Sequence, residues 1–214
     1  MRADGRGRFI TFEGGEGAGK STQLARLAES LRAGGLDVVT TREPGGSKGA
    51  EDIRALLVQG DVERWDATTE ALLHTAARRD HLVKTVWPAL DRGAWVLCDR
   101  FADSTLAYQG YGHGLAIETI EALTRLAVGA FTPDLTLVLD LPVDQGLRRA
   151  GGRGGAEDRY ERMDSAFHDR LRQGFLVIAR AHPERCAVID AAGDPDSVHA
   201  AIRASVAGRL GIPR

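Results

Sequence analysis

One eight-residue segment constrains the fold of this chain more than any other. Residues 14–21 read GGEGAGKS and fit the pattern G-x-x-x-x-G-K-[ST]. An apolar run, FITF at 9–12, precedes the segment and a helical pattern follows it from Lys20, which is the strand–loop–helix context that this motif requires. Glycines let backbone N–H groups approach phosphate oxygens, and the start of a helix attracts anions. The segment therefore predicts a P-loop that binds a nucleoside triphosphate.

Two side chains of this loop have the most direct expected roles. We expect Lys20 to reach the β- and γ-phosphates and the Ser21 hydroxyl to hold Mg²⁺. A Gly-rich turn that happens to precede a lysine is the alternative, and the flanking strand and helix patterns argue against it. The residues predicted to contact the triphosphate are Gly14, Gly15, Glu16, Gly17, Ala18, Gly19, Lys20, Ser21 and Thr22.

Strand-like and helix-like patterns alternate along the 214 residues, of which 43% are hydrophobic. Such alternation favours a parallel sheet with helices on both faces. We expect one domain over residues 1–214, an α/β three-layer sandwich of the P-loop NTPase type around five parallel strands. The predicted strands cover 8–13, 37–41, 95–99, 135–140 and 187–190. The predicted helices cover 20–33, 51–59, 68–92, 117–128, 143–150, 165–180 and 197–210.

Composition excludes several functional classes. The net charge is −2 and the sequence pI is about 6.3, so no basic field indicates a nucleic-acid partner. Cys98 and Cys186 each lie in an apolar run, and we interpret them as buried thiols rather than a disulfide. No apolar stretch approaches a membrane span, and the first residues contain no apolar signal region, so we expect a cytoplasmic protein.

A Gly-rich segment, AGGRGGA at 150–156, has no hydrophobic period and carries Arg153. One interpretation is a solvated flexible linker between two helices. The other is a mobile lid, spanning approximately 149–159, that closes over phosphates and brings arginines with it. Next to a P-loop, the lid is the favoured interpretation.

Two motifs that follow strands suggest a second substrate pocket. The sequence TREPGG at 41–46 follows the second predicted strand, and DRFADSTLAYQG at 99–110 follows the third. Ligands of open α/β sheets bind outside the carboxyl ends of the strands. Asp99 can act there on metal-bound water or on the acceptor, and Arg100 can neutralise phosphate charge. The alternatives are an ordinary Pro-Gly turn with a solvated ion pair, a helix cap and a core tyrosine.

A polar stripe lies on the long third helix. His74, Ala77, Arg78 and His81 recur at i, i+3, i+4 and i+7 and so share one face. The stripe either lines a pocket or forms a solvated helix face. A guanidinium can grip a phosphate or a base edge, so Arg78 is the strongest candidate. Neither histidine has other metal-ligating residues at suitable spacing, which argues against zinc.

Together these motifs resemble the bacterial thymidylate kinase family over nearly the whole chain. The matching segments are FEG at 12–14, TREPGG at 41–46, AAR at 76–78, DRFADSTLAYQG at 99–110, PD at 133–134 and the arginine-bearing lid. The segment at 99–110 looks like the family signature. The resemblance implies ATP- and Mg²⁺-dependent phosphorylation of dTMP to dTDP, feeding dTTP synthesis, and a homodimer.

The resemblance also implies residue roles. Charge on the transferring phosphoryl group would be stabilised by Lys20, Arg100 and Arg153, while Glu16 would contact the sugar 3′-hydroxyl. Arg149 and the 190–193 turn would flank the adenine. The predicted catalytic residues are Lys20, Arg100, Arg153, Glu16 and Asp99. The predicted acceptor-binding residues are Glu16, Arg42, Glu43, Pro44, His74, Arg78, Arg100, Ser104, Tyr108 and Gln109; of these, Arg42 and Arg100 would position the acceptor phosphate, and Arg78 and Gln109 would read the thymine edge.

The chain departs from the family pattern at His74, where the family usually places a phenylalanine that stacks on thymine. His74 would have to stack in its place. The competing hypotheses are a P-loop kinase for another nucleoside monophosphate or a deoxynucleoside, a nucleotide-binding switch or regulatory ATPase without an acceptor, and a structural homologue without activity. Selectivity for dTMP over dUMP rests on one methyl group, which a hydrophobic pocket discriminates by only about 1–3 kcal/mol.

Overall fold

The computed structural model describes residues 5–151 and 159–211. Five parallel strands form one sheet in the order β2-β3-β1-β4-β5. The strands are β1 (Phe9–Glu13), β2 (Val38–Arg42), β3 (Trp95–Asp99), β4 (Leu135–Asp140) and β5 (Cys186–Asp190). The predicted α/β architecture with a five-stranded parallel sheet is confirmed, and no strand boundary differs from the prediction by more than one residue.

Helices precede or follow each strand of the sheet. They are α1 (Lys20–Ala33), α2 (Lys48–Val58), α3 (Ala67–His81), α4 (Trp87–Asp91), α5 (Ala102–Thr105), α6 (Ile117–Val128), α7 (Val143–Gly151), α8 (Ser165–Ala181) and α9 (Pro195–Leu210). The helix α2 begins earlier than predicted because the Ser47 side chain accepts a hydrogen bond from the Ala50 N–H and caps it. None of the described helices is long and apolar enough to span a membrane.

Each face of the sheet buries its own apolar cluster because neighbouring strand residues point to opposite sides. On one face Ile10 and Phe12 pack with residues of α1 and α9. On the other face Phe9 and Val96 pack against residues from the end of α3 to α4, and Val138 packs against α8. Helices therefore cover both faces, as the continuous apolar strands predicted.

The predicted single helix at 68–92 is interrupted. A π-helical turn, Leu82–Val86, separates α3 from α4, and the Trp87 N–H donates to the Leu82 carbonyl five residues earlier. Pro88 has no N–H to continue the regular hydrogen-bond pattern, which accounts for an irregularity close to it. A second π segment, Leu106–Gly112, continues α5 and carries the motif tyrosine and glutamine. The sequence did not predict this helical segment.

The two cysteines are free and buried, as predicted. Burial raises the pKa of the Cys98 thiol well above its ordinary value and that of Cys186 to about 11. The segment predicted as a lid lies mostly outside the described residues, and its first glycine, Gly151, ends α7.

Candidate active site

The loop between β1 and α1 has the backbone conformation of a phosphate cradle. Gly14, Gly17 and Gly19 have φ values of 132°, 68° and 89°, which residues other than glycine rarely adopt. The Lys20 ammonium donates to the carbonyl oxygens of Gly14 at 3.1 Å and Gly15 at 2.8 Å. Burial, followed by the charge of Arg100, lowers the pKa of Lys20 to about 8.

A hydroxyl and a carboxylate meet beside this loop. The Ser21 hydroxyl, in the first turn of α1, donates to Asp99 Oδ2 at 2.6 Å, and Asp99 ends β3. Oxygen donors of these two types are the ligands that Mg²⁺ prefers. The pair therefore fits the metal that the sequence predicted at Ser21, and Thr22 lies exposed next to it.

Arg100 joins the loop to the segment after β3. Its φ of 70° is unusual for a residue other than glycine. The Arg100 N–H donates to the Phe12 carbonyl at 2.9 Å, and its carbonyl accepts from the Cys98 thiol at 3.1 Å. The guanidinium donates to Glu16 at 2.7 Å and to the Gly14 carbonyl at 3.1 Å. This backbone anchoring holds the charge of Arg100 over the P-loop.

Glu16 is the acidic member of this cluster. Its Oε1 accepts hydrogen bonds from Arg100 and from the Tyr108 hydroxyl, and the Arg100 guanidinium lies 5.0 Å from the Tyr108 ring. Burial alone would raise the pKa of Glu16, but the charges of Arg100 and Lys20 prevail and lower it to about 2. Glu16 is therefore ionised at neutral pH.

A cavity adjoins this cluster, and we call it the Arg78 cavity. It lies between the P-loop, the loop after β2, α3 and the segment after β3. The lining includes nine of the residues that the sequence predicted to bind the acceptor: Glu16, Glu43, Pro44, His74, Arg78, Arg100, Ser104, Tyr108 and Gln109. The cavity thus brings together the predicted acceptor-binding residues with one exception. Arg42 is exposed, pairs with Glu51 at 3.0 Å and lies in the neighbouring cleft beside Ser21 and Asp99.

The Arg78 guanidinium is held by three partners. Its Nε donates to Glu43 at 2.8 Å, and its Nη2 donates to the Phe101 carbonyl at 3.0 Å and the Thr105 hydroxyl at 2.9 Å. The other oxygen of Glu43 lies 3.0 Å from His81 Nδ1. Within the described part of the chain, Arg78 Nη1 has no hydrogen-bond partner. Both N–H donors of this nitrogen are therefore unpaired among the described residues.

Gln109 is also fixed on one side only. Its amide nitrogen donates to Glu70 Oε2 at 2.9 Å, while its Oε1 is buried and lacks a partner among the described residues. Buried polar atoms are normally hydrogen-bonded in folded proteins. Arg78 Nη1 and this oxygen are therefore an unpaired donor group and an unpaired acceptor on two residues that line the Arg78 cavity.

His74 forms part of the same wall. Its Nε2 lies 3.1 Å from the Tyr160 hydroxyl. Burial, followed by the charge of Arg78, lowers the pKa of His74 to about 3, so the imidazole is neutral at physiological pH. A neutral ring at this position can pack against a planar ligand without adding charge.

The predicted adenine side lies at the other end of the P-loop. Arg149, near the end of α7, donates to the Ala191 carbonyl at 3.2 Å. The expected neighbours, Arg149 and the 190–193 turn, therefore do lie together. Arg153 lies outside the described residues.

Several residues of the site were not predicted. Glu70 and Arg159 form a buried ion pair beside Gln109, and the half-buried Tyr160 donates to Glu70. Glu13 anchors the segment after β3 by accepting from the Phe101 N–H at 2.8 Å. A signal for Glu70 exists, since it precedes His74 by four residues and extends the same helix face. Arg159 was grouped with the lid arginines, but it is 1% exposed and donates to the carbonyls of residues 57, 61 and 62.

Comparison with known proteins gives the family. A model of the thymidylate kinase family matches residues 12–202. The chain belongs to the thymidylate kinase family. It is 58% identical over 206 residues to the thymidylate kinase of Caulobacter vibrioides, covering 96% of this chain and 99% of that protein. It is 52% identical over 205 residues to that of Rhizorhabdus wittichii, covering 95% and 99%.

A solved structure agrees with this assignment. The crystal structure of thymidylate kinase from Ehrlichia chaffeensis aligns with a TM-score of 0.76 at 37% identity, covering 94% of this chain and 99% of that one. Thymidylate kinases transfer a phosphoryl group from a nucleotide donor to dTMP and form dTDP. The chain is an enzyme of this class, a transferase of nucleotide biosynthesis.

Proposed function

We propose that the donor is ATP with Mg²⁺, and that the γ-phosphoryl group passes directly and in line to the phosphate of dTMP held in the Arg78 cavity. One observation carries the acceptor assignment. Arg78 and Gln109 line one cavity, and the buried atoms Arg78 Nη1 and Gln109 Oε1 have no partner in the described protein. Thymine has an acceptor at O4 beside a donor at N3–H on its pairing edge, which matches this donor and acceptor.

Phosphoryl transfer requires positioning and charge neutralisation rather than covalent chemistry by the protein. Lys20 would leave the loop carbonyls for the phosphates of ATP, and Arg100 would hold the acceptor phosphate beside it. Ser21 and Asp99 would hold Mg²⁺, which neutralises charge on the triphosphate when bound. Because the acceptor phosphate is itself a nucleophile, no general base is assigned.

Further roles extend this proposal. Glu16 is suited to the sugar 3′-hydroxyl because it is ionised and lies beside the Tyr108 ring, which would disfavour a 2′-hydroxyl. His74 would stack on the base. Arg42 is exposed in the cleft next to Ser21, so it would have to exchange Glu51 for the acceptor phosphate. Arg149 would flank the adenine, and Arg153 would reach the transferring group from a lid at 149–159.

We also propose a single kinase domain over 1–214, a homodimer and a cytoplasmic location. Large apolar side chains lie exposed on adjacent helices, with Leu72 of α3 50% exposed and Leu126 of α6 80% exposed, as a subunit interface would require. Light scattering over a range of protein concentrations tests the dimer, and a concentration-independent monomer would refute it.

The decisive experiment measures ADP release from ATP and Mg²⁺ with dTMP, dUMP, dCMP, dGMP or no acceptor. Fast turnover with dTMP, slower turnover with dUMP and almost none without acceptor is expected. Arg78→Lys keeps the charge but loses the planar fork, so kcat/KM for dTMP should fall by about 10²-fold, the loss expected when a buried polar contact is unpaired. Arg203→Lys, on the exposed face of α9, is the matched control. Preference for another acceptor would refute the thymine contacts.

A further inference from the structure

A buried ion pair stands behind the base-reading glutamine. Glu70 and Arg159 are 0% and 1% exposed, and Glu70 Oε1 lies 2.5 Å from Arg159 Nη2. The other oxygen, Oε2, accepts from Gln109 Nε2 at 2.9 Å. The ionised carboxylate has acceptors only. The two oxygens therefore face two different groups: Oε2 accepts the hydrogen bond from Gln109, and Oε1 lies in ion-pair contact with Arg159 without hydrogen-bond geometry.

This pairing determines which way the Gln109 amide points. An amide has a donor end and an acceptor end, and hydrogen-bond partners decide between the two orientations. Because Glu70 can only accept, the Gln109 nitrogen must face it and Oε1 must remain for the cavity. We infer that Glu70 is a specificity-determining residue that makes Gln109 an acceptor toward the base, although Glu70 itself does not line the cavity.

The consequence is selection against bases with the opposite edge. Cytosine has a donor at N4–H₂ and an acceptor at N3, whereas thymine and uracil have an acceptor at O4 and a donor at N3–H. With Gln109 Oε1 fixed toward the base, two acceptors, this oxygen and cytosine N3, would face each other without a hydrogen between them. This inference rests on the proposed base contacts, and it assigns to Glu70 the discrimination of dTMP from dCMP.

Other neighbours leave this orientation unchanged. The Tyr160 hydroxyl donates to Glu70 Oε2 at 3.3 Å, and His113 Nε2 lies 3.7 Å from the same oxygen. Arg159 is fixed by its bonds to the carbonyls of Leu57, Asp61 and Val62, so its guanidinium stays in place beside Oε1.

Glu70→Gln tests the inference with almost no change in size. The Arg159 guanidinium, 2.5 Å from this position, would repel an amide N–H, so the new amide must turn its oxygen to Arg159 and its nitrogen to Gln109. Gln109 must then turn its own nitrogen to the base. We expect kcat/KM for dTMP to fall and the dCMP-to-dTMP ratio of kcat/KM to rise, each by about 10-fold or more. The dUMP-to-dTMP ratio should stay constant, because both bases have the same edge.

The double variant Glu70→Gln with Gln109→Glu exchanges the two groups and keeps the charge. Its carboxylate at 109 accepts from the amide at 70 and again presents an oxygen to the base, so the preference for dTMP over dCMP should return. Glu29→Gln, on the exposed face of α1, is the matched control and should change neither ratio. A purely structural role for Glu70 would reduce activity on all three acceptors in parallel, and that result would overturn the inference.

The experiments distinguish a failure of the proposed function from a failure of the inference about Glu70. If the wild-type enzyme does not turn over dTMP, the proposed function fails, whatever the variants do. If Glu70→Gln does not fold, hydrogen exchange of the Gln109 side-chain amide is measured by NMR in the wild-type enzyme with dTMP bound. Slow exchange is expected for an amide nitrogen bonded to Glu70, and fast exchange would overturn the inference.

Discussion

The P-loop and α7 approach each other so closely that one added methyl group should lower both stability and activity. Gly146 of α7 packs against the loop so tightly that a Cβ added to it would lie 2.4 Å from the Glu16 carbonyl oxygen, whereas ordinary contacts begin at 3.4 Å. Gly17 makes the reciprocal approach, since its Cβ would lie 2.0 Å from the Gly146 oxygen. Both obstacles are backbone atoms and cannot rotate away. In Gly146→Ala, α7 and the P-loop must separate by about 1 Å.

Two magnitudes follow from that separation. Overpacking of this kind lowers the free energy of unfolding by about 1–3 kcal/mol, although alanine by itself favours a helix by roughly 1 kcal/mol over glycine. A displacement of about 1 Å in a catalytic loop lowers turnover by roughly 10²-fold. We therefore expect Gly146→Ala to lose stability and activity together.

The assay pairs steady-state kinetics in ATP with urea unfolding of the same preparations. Gly208→Ala is the matched control, because apart from adjacent residues and the backbone of its own helix, none of the described atoms lies within 4 Å of the Cβ that it adds to α9. This control should keep wild-type kinetics and gain about 0.5–1 kcal/mol. If Gly146→Ala is as active as wild type and as stable as Gly208→Ala, the close approach of α7 to the loop does not constrain the enzyme.

Further predictions concern the lid arginine and two buried groups. Arg153→Ala should lower kcat by roughly 10²-fold or more while ATP still binds, by analogy with mobile arginines in phosphoryl transfer, and unchanged turnover would remove Arg153 from the mechanism. Burial, followed by the charge of Asp103, raises the pKa of Glu13 from 4.5 to about 8. The native state therefore binds the proton of the Glu13 carboxyl more tightly than the unfolded chain does. The stabilisation that this proton provides is complete below pH 4.5 and is lost as the pH rises to 8. Relative to wild type, Glu13→Gln should thus gain stability between pH 5 and pH 8 in urea titrations, and parallel pH profiles would contradict this. Cys98 should resist thiol reagents in native enzyme and react in urea, because burial disfavours its thiolate.

Local sequence determined the parts of this protein that depend on neighbouring residues along the chain. The P-loop needs glycines, a lysine and a serine in one short segment between a strand and a helix, so its position and the pair Lys20 and Ser21 could be predicted directly. Parallel strands were predictable because burial on both faces leaves continuous apolar runs. The family motifs also indicated which residues would meet in one cavity, although no pattern indicated their partners.

Tertiary structure determined the electrostatic arrangement of the site, because each charged group is held by residues distant in the sequence. Arg78 is positioned by Glu43, 35 residues away, and Gln109 by Glu70, 39 residues away. Arg42, for which the resemblance implied contact with the acceptor phosphate, pairs with Glu51 in this structure, a partner that the sequence pattern did not indicate. A sequence pattern specifies residue types and spacing, but the direction of an amide or the partner of a guanidinium depends on which donors and acceptors the fold brings within about 3 Å.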